Sequence, residues 1–433
     1  MAAENAALAT WLALRASVRK KFFPTWRSLF NPPLNLPLKC QSLGGMGWPT
    51  LPTLSATAAR TSSQHITKEQ NLMAQKLRVG IIGATGMVGQ RFVALLENHP
   101  WFETVLVAAS PQSAGKKYAE AVAGRWSLTS QLPPSTANLI VKNAADVAAI
   151  AKEVDFVFCA VDMKKDETLR LEEDFARHEV PVVSNNSATR MMPDVPMVVP
   201  ELNPEHLEII DAQRKRLGTK RGFIAVKPNC SLQSYLPALH PLRKFGVKKV
   251  VACTYQAISG AGKTFATWPE MVDNVIPFIS GEEQKSETEP LKIWGAVKNG
   301  CIENSKETAF ATQCIRVPVS DGHMAAVFVQ FETKPTRDQI LSIWKEWRTT
   351  AQELKLPSAP TPFVQYFEED NRPQTKLDRD LGNGMAVSTG RLREDMIFDY
   401  KFVCLSHNTV RGAAGGAVLI AELLKAKGYF DRV

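Results

Sequence analysis

The sequence predicts an α/β chain in two parts, a doubly wound parallel sheet followed by a mixed α+β domain. Three observations carry this. Short β-branched runs alternate with helix-like stretches from residue 76 to residue 229, and a glycine turn joins the first run to the first helix pattern. After Cys230 the texture changes to longer, alternating strands separated by long polar connections. At 433 residues the chain exceeds one ordinary core, so two domains plus an appendage are expected. Its 45% hydrophobic and 22% charged residues are those of a globular protein.

Residues 1–75 read as that appendage. They hold eight Lys or Arg against Glu4 and Glu69, a net +6 of the protein's formal +9. Proline and glycine cluster at 31–33 and 43–47, and 54–64 is rich in Ser and Thr. Such acid-poor sequence fits an organellar targeting peptide, and equally disordered or untranslated sequence upstream of Met73. The remaining body is nearly balanced in charge, so no nucleic-acid-binding stripe is indicated. No apolar run approaches the ~18 residues of a membrane span. The seven cysteines (40, 159, 230, 253, 301, 314 and 404) are scattered, without a CxxC pair or a zinc-like Cys/His spacing. Reduced thiols in an intracellular compartment are expected: the cytoplasm, or an organelle if the extension is a transit peptide.

The first domain is placed at 76–229. It opens with the apolar run 76–82, too short for a helix. A helix pattern at 87–98 follows, then strands at 104–109, 155–160 and 180–184, with a helix at 167–178. This alternation predicts a Rossmann-like sheet with its ligand at the strand C-termini. The second domain, 230–405, holds strands at 250–256 and 325–332. The stretch 409–427 has helical spacing, and 406–433 is expected to return and complete the first domain.

The turn Gly83-Ala84-Thr85-Gly86-Met87-Val88-Gly89 lies between a strand and a helix, the context a phosphate-binding turn needs. Glycines admit the pyrophosphate and the helix start offers free N–H groups. An NAD-specific fold usually has an acid at the end of its second strand. Here that position reads from Ala109 to Lys117 without one, and Ser110, Ser113, Lys116 and Lys117 suit a 2′-phosphate. NADP is therefore preferred over NAD.

Cys230, in Lys227-Pro228-Asn229-Cys230-Ser231, has the neighbours of a loop-to-helix junction, where free N–H groups would lower its pKa and hold an oxyanion. His323 follows Gly322 and precedes a strand, seven residues after Arg316. A histidine there can face a cleft and move protons with a pKa near working pH. A cysteine nucleophile, a histidine acid/base and a dinucleotide turn together suggest interconversion of an acyl group and an aldehyde through a thioester.

Seven segments in order then resemble the aspartate-semialdehyde dehydrogenases of archaea and fungi: 83–89, 184–203, 227–231, 254–262, 281–285, 316–323 and 408–416. The resemblance implies reduction of L-aspartyl phosphate by NADPH to L-aspartate 4-semialdehyde and phosphate, on the route to lysine, methionine and threonine. It implies Cys230 as nucleophile, His323 as acid/base and Gln256 orienting the acyl intermediate. Arg316 would bind the substrate α-carboxylate, and Glu282 or Glu283 its ammonium, with Glu287 and Glu289 at compatible spacing on the same helix also open. Arg190 and Lys285 would hold the phosphate, with Asn229 beside the nucleophile. Ser259, Gly260, Gly262 and Asn408 would contact the cofactor. A homodimer or homotetramer joined through the second domain is also implied. The run Leu232-Gln233-Ser234-Tyr235 departs from the small hydroxyl residues usual after the cysteine. Malonyl-coenzyme-A reductase and N-acetylglutamyl-phosphate reductase are alternatives on the same scaffold. A non-catalytic NADP-binding regulator is a third.

Overall fold

In the first sheet every strand is parallel and short, as the β-branched runs require. β1 (Leu77–Ile82), β2 (Phe102–Ala109), β3 (Lys142–Asn143), β4 (Phe156–Cys159), β5 (Val182–Ser184) and β6 (Ile224–Val226) pair in the order β3-β2-β1-β4-β5-β6. The order reverses between β1 and β4, and in such sheets a crevice opens beyond the strand C-termini at that point. The computed structural model describes residues 76–431, so the expectations for residues 1–75 lie outside the described residues.

Alternate residues of these strands feed two separate cores, because successive side chains point to opposite faces. Ile82, Val157, Val182 and Val226 face one core with Phe175 of α2 (Lys165–Arg177). Val79, Phe156, Phe158 and Val183 face the other with Phe92 of α1 (Met87–Leu96). Burial on both faces explains why the strands read as continuous apolar runs. In the second core Phe92 stacks on Phe158 and Phe156 on Phe430, both pairs at 4.4 Å. Helix α3 (Ile210–Leu217) ends on Gly218, whose φ of 73° closes it in the left-handed region.

The second sheet is mixed. β7 (Val247–Gln256), β10 (Ala309–Arg316), β11 (His323–Phe331), β12 (Val364–Phe367), β13 (Val387–Glu394) and β14 (Tyr400–Ser406) run in the order β10-β7-β11-β14-β13-β12. A small hairpin, β8 (Ala296–Lys298) with β9 (Cys301–Glu303), stands apart from it. Helix α4 (Glu282–Ile293) packs along β10, and α5 (Arg337–Glu346) lies against β12. The core under α2 runs on into this sheet through Val250, Ala325 and Val327, so one apolar mass joins the two sheets.

One expected helix is broken. Over 409–427 the chain first makes a widened turn, Val410–Ala414, with Ala413 at φ −141° and ψ −107°. Only then does α6 (Gly415–Ala426) begin. The break coincides with two close approaches: Arg411 reaches Glu201, and Gly412 lies against Cys230. Helix α6 packs on α1 and β5, and its Val418, Leu419 and Leu423 enter the second core.

Candidate active site

Strand register brings three of the expected residues to one edge of the mixed sheet. Arg316, last in β10, pairs with Gln256, last in β7. Met324 lies opposite Tyr255, so His323, first in antiparallel β11, falls beside Gln256. Their side chains share the inward phase of the pleat, with Gln256 1%, Arg316 5% and His323 0% exposed. The chain leaving β7 ties two of them together. Ala257 N donates to His323 Nδ1 at 3.1 Å, and Ala257 O accepts from Arg316 Nη1 at 2.6 Å. Gly260 lies over both groups: a Cβ there would come within 3.0 Å of Arg316 Nη1 and His323 Nε2.

The nucleophile approaches from the parallel sheet. Beyond β6, Lys227 N donates to Ser184 O at 2.8 Å, and Asn229 then organises the loop. Asn229 Oδ1 accepts from Ser231 N at 2.8 Å, its Nδ2 donates to both oxygens of Glu282 at 3.0 Å, and its N donates to Glu289 at 2.6 Å. Glu282 also accepts from Lys285 Nζ at 2.8 Å and from Gln256 Nε2 at 3.4 Å. Arg190 pairs with Glu289 at 3.0 Å. One face of α4 thus links Asn229, Gln256 and Arg190. The expected alternatives at 282 and 283 separate here. Glu283 turns to β10, accepting from Gln313 Nε2 at 2.7 Å and from Cys314 N at 3.2 Å. Leu232 and Tyr235, the unusual residues after the cysteine, are fully buried, and Tyr235 Oη donates to Ser286 O.

Two electrostatic expectations are corrected. Cys230 opens only a three-residue 3₁₀ turn, Ser231–Gln233, too short to concentrate a helix dipole. Burial and the Glu282 carboxylate raise its pKa, and Lys227, Arg190 and Arg316 offset this only in part. His323 is not poised near neutrality. Burial, then the Arg316 charge, lower its pKa to about 3. With Nδ1 accepting from Ala257, the neutral ring carries its proton on Nε2, a buried atom without a hydrogen-bond partner among the described residues. Burial alone would raise the Glu282 pKa, but Lys285, by charge and hydrogen bond, and the Asn229 hydrogen bond hold the carboxylate below its usual range.

The glycine turn sits where β1 ends. Gly83 has φ +90°, and a Cβ there would overlap Ala160 O beyond β4, while one on Gly89 would overlap Gly83 O. Both glycines are thus demanded by the turn itself. Gly86 is different: it is exposed, and a Cβ would meet only Gly83 O at 3.6 Å. Space therefore remains over Gly86 for a phosphate, flanked by half-buried Thr85, Met87 and Val88. At the end of neighbouring β2, Ser110 and Lys116 are exposed and Ser113 is buried, with no carboxylate among residues 109–117. This donor set fits a dinucleotide with a 2′-phosphate. Asn408 joins the two halves: its Nδ2 donates to Ser259 Oγ at 2.8 Å, and its Oδ1 accepts from Gly322 N at 2.8 Å. Gly262, with φ +68°, has open space around it.

Sequence reasoning missed several neighbours of the cysteine. A Cβ on Gly412 would sit 2.8 Å from Cys230 Cβ, and one on Gly416 3.1 Å from Lys227 Cε. Glycines at 412, 415 and 416 inside a helical pattern are the signal that could have revealed this approach. Lys227 is buried beside Cys230, and burial lowers its pKa to about 7. On α2, Glu172 is fully buried and receives Ser184 Oγ, Asn186 Nδ2 and Thr189 Oγ1, fastening the loop that carries Arg190. A single glutamate in an amphipathic helix gives no warning of that role.

Family models agree with this division. The semialdehyde dehydrogenase NAD-binding domain matches residues 78–210, and the semialdehyde dehydrogenase dimerisation domain matches residues 239–411. A dinucleotide sheet joined to such a domain defines the class, a semialdehyde dehydrogenase. Among curated relatives, the aspartate-semialdehyde dehydrogenase of Methanothermobacter thermautotrophicus is 43% identical over 351 residues, 80% of this chain and 99% of that protein. That of Aspergillus fumigatus is 42% identical over 363 residues, 82% of this chain and 98% of that protein. The solved structure of the Candida albicans enzyme with NADP superposes with a TM-score of 0.74 at 39% identity, covering 82% of this chain and all of that one. The chain belongs to the aspartate-semialdehyde dehydrogenase family.

Proposed function

We propose that the protein reduces L-aspartyl 4-phosphate to L-aspartate 4-semialdehyde and phosphate. The observation that carries this reading is the convergence on Glu282. It binds Asn229 beside the nucleophile, Gln256 at the end of β7 and Lys285, and so offers an anionic carboxylate next to the cysteine for a substrate ammonium.

The Cys230 thiolate attacks the acyl carbon, a C–S bond forms, and phosphate departs with the electrons of the broken C–O bond. Arg190 and Lys285 bind the phosphate, and Arg316 binds the α-carboxylate through its planar fork. Gln256 orients the resulting thioester. The turn at Gly83–Gly89, the side chains of Ser110, Ser113 and Lys116 and the loop of Ser259, Gly260, Gly262 and Asn408 would hold NADPH, which when bound would supply the hydride that reduces the thioester. His323, neutral with its proton on Nε2, donates a hydrogen bond to the oxygen that gains charge in each half-reaction. When the thiohemiacetal oxyanion collapses to the aldehyde, the C–S bond breaks and its electrons regenerate the thiolate. A thioester is required because a free carboxylate is a poor hydride acceptor.

We also assign 76–229, completed by 406–433, as the NADP-binding domain, and 230–405 as the catalytic and dimerisation domain. The outer face of the mixed sheet supports a homodimer or homotetramer: it leaves Tyr255 36% exposed beside half-buried Val251, Cys253 and Phe328. Among the described residues no helix is long and apolar enough to cross a membrane, and six cysteines are free, which suits a reducing compartment such as the cytoplasm.

The test is NADP reduction by the purified protein given aspartate semialdehyde and phosphate, alongside Cys230→Ser. Phosphate-dependent NADPH formation that vanishes in the variant, with NADPH binding retained, is the expected result. Turnover near wild type in Cys230→Ser would sink the assignment.

A further inference from the structure

One buried polar bridge without a role in the reaction above is Glu289 of α4, 2% exposed. One oxygen accepts from Arg190 Nη1 at 3.0 Å, and the other accepts from the main-chain N–H of Asn229 at 2.6 Å. A single carboxylate therefore spans the arginine assigned to the phosphate and the residue that precedes the nucleophile. The same helix fixes the arginine's main chain. Lys292 Nζ donates to the carbonyls of Arg190, Met192 and Val195 at 2.6, 2.6 and 2.8 Å. Arg190 Nη2 donates to Asn185 O at 3.1 Å, while its Nε is buried without a hydrogen-bond partner. The guanidinium is thus held by a rigid frame, with one counter-charge in contact and unspent hydrogen-bonding capacity.

We propose that Glu289 is a positioning residue that sets the site's affinity for phosphate, with Arg190 exchanging its Nη1 contact between Glu289 and the phosphate group. Charge-assisted bonds at this depth are strong, so an arriving phosphate competes with the carboxylate for the same donor and is repelled by its charge. When phosphate is cleaved from the acyl group, Glu289 reclaims the arginine and speeds release. The Asn229 bond makes the exchange local, because it anchors the carboxylate while the guanidinium moves. This inference rests on the reading of Arg190 as a phosphate ligand.

Glu289→Gln keeps the shape and one acceptor oxygen but removes the charge. In the oxidation of aspartate semialdehyde, its KM for inorganic phosphate is expected to fall about five- to tenfold, the range of one lost charge contact. The KM for the semialdehyde should stay within about twofold. In the reductive direction phosphate should become a correspondingly tighter product inhibitor. Glu289→Asp keeps the charge and should not lower the phosphate KM. A fall in kcat with an unchanged phosphate KM in Glu289→Gln, the pattern of a purely structural bridge, overturns the proposal. So does a wild-type crystal structure with NADP and phosphate in which Arg190 Nη1 stays on Glu289 and makes no phosphate contact. Arg190→Ala separates the two levels. If it leaves the phosphate KM unchanged, the ligand assignment fails and takes the proposal with it. If it raises that KM and Glu289→Gln does not lower it, only the proposal fails.

Discussion

Arg411 and Glu201 face one another as a buried bidentate pair, both contacts at 2.6 Å, across 210 residues of sequence. The arginine also lies 4.6 Å over the ring of Phe363 in the second domain. Because the next residue, Gly412, touches Cys230, this pair clamps the C-terminal segment onto the catalytic loop.

Removing either partner leaves the other charge buried and alone. Arg411→Met or Glu201→Gln should each lower stability by about 3–5 kcal/mol, read as the midpoint of urea unfolding. The double replacement Arg411→Met, Glu201→Leu should cost less than the sum of the single variants, since no charge is then stranded.

The raised Cys230 pKa has a direct readout in the ligand-free protein. Its alkylation by iodoacetamide should climb with pH through the alkaline range, above the ordinary cysteine midpoint. The Glu282 charge disfavours the thiolate, so Glu282→Gln should lower the midpoint and speed alkylation at neutral pH by about three- to tenfold. Unchanged kinetics would show that Glu282 does not act on the thiol.

Gly412→Ala tests the close approach at the nucleophile. Its Cβ would stand 2.8 Å from Cys230 Cβ, so one backbone must move. A shift of some tenths of an ångström at the attacking sulfur should lower kcat by about 10- to 100-fold. NADPH affinity, measured by fluorescence titration, should hold within about threefold. Gly86→Ala, which meets open space, should instead weaken NADPH with little effect on folding.

Cofactor choice is expected to follow the end of β2. Ser110→Asp places a carboxylate where a 2′-phosphate would lie, and should raise the KM for NADPH about tenfold or more. NADH should gain relative to NADPH when the two kcat/KM values are compared. A ratio that does not move would remove Ser110 from the cofactor site.

What could be read from sequence was what depends on local spacing. The turn at Gly83, the strand leading into His323 and the loop around Cys230 each declare themselves within ten residues. The register that sets Arg316 beside Gln256 followed from no such window, although both strand ends were visible. Glu172 reads as an ordinary helix-surface glutamate and Glu289 only as one of four helix glutamates open to the substrate, because their true partners lie 99, 60 and 12 to 17 residues away. The Cys230 pKa ran opposite to expectation, and that of His323 fell away from neutrality, for one reason. Burial dominates both, and a one-dimensional pattern carries no measure of burial depth.

The return of α6 to the first sheet has a consequence for how the chain is made. Residues 76–229 leave the ribosome long before Gly415–Ala426, yet the core around Phe92, Phe156 and Val183 is completed by that last helix. That core therefore stays incomplete, with part of its apolar surface open, until synthesis is nearly finished. Gly412 reaches Cys230 in the same closing step. The nucleophile thus gains its final wall at the very end of folding, and a nascent chain truncated before residue 410 has every catalytic side chain but no finished site.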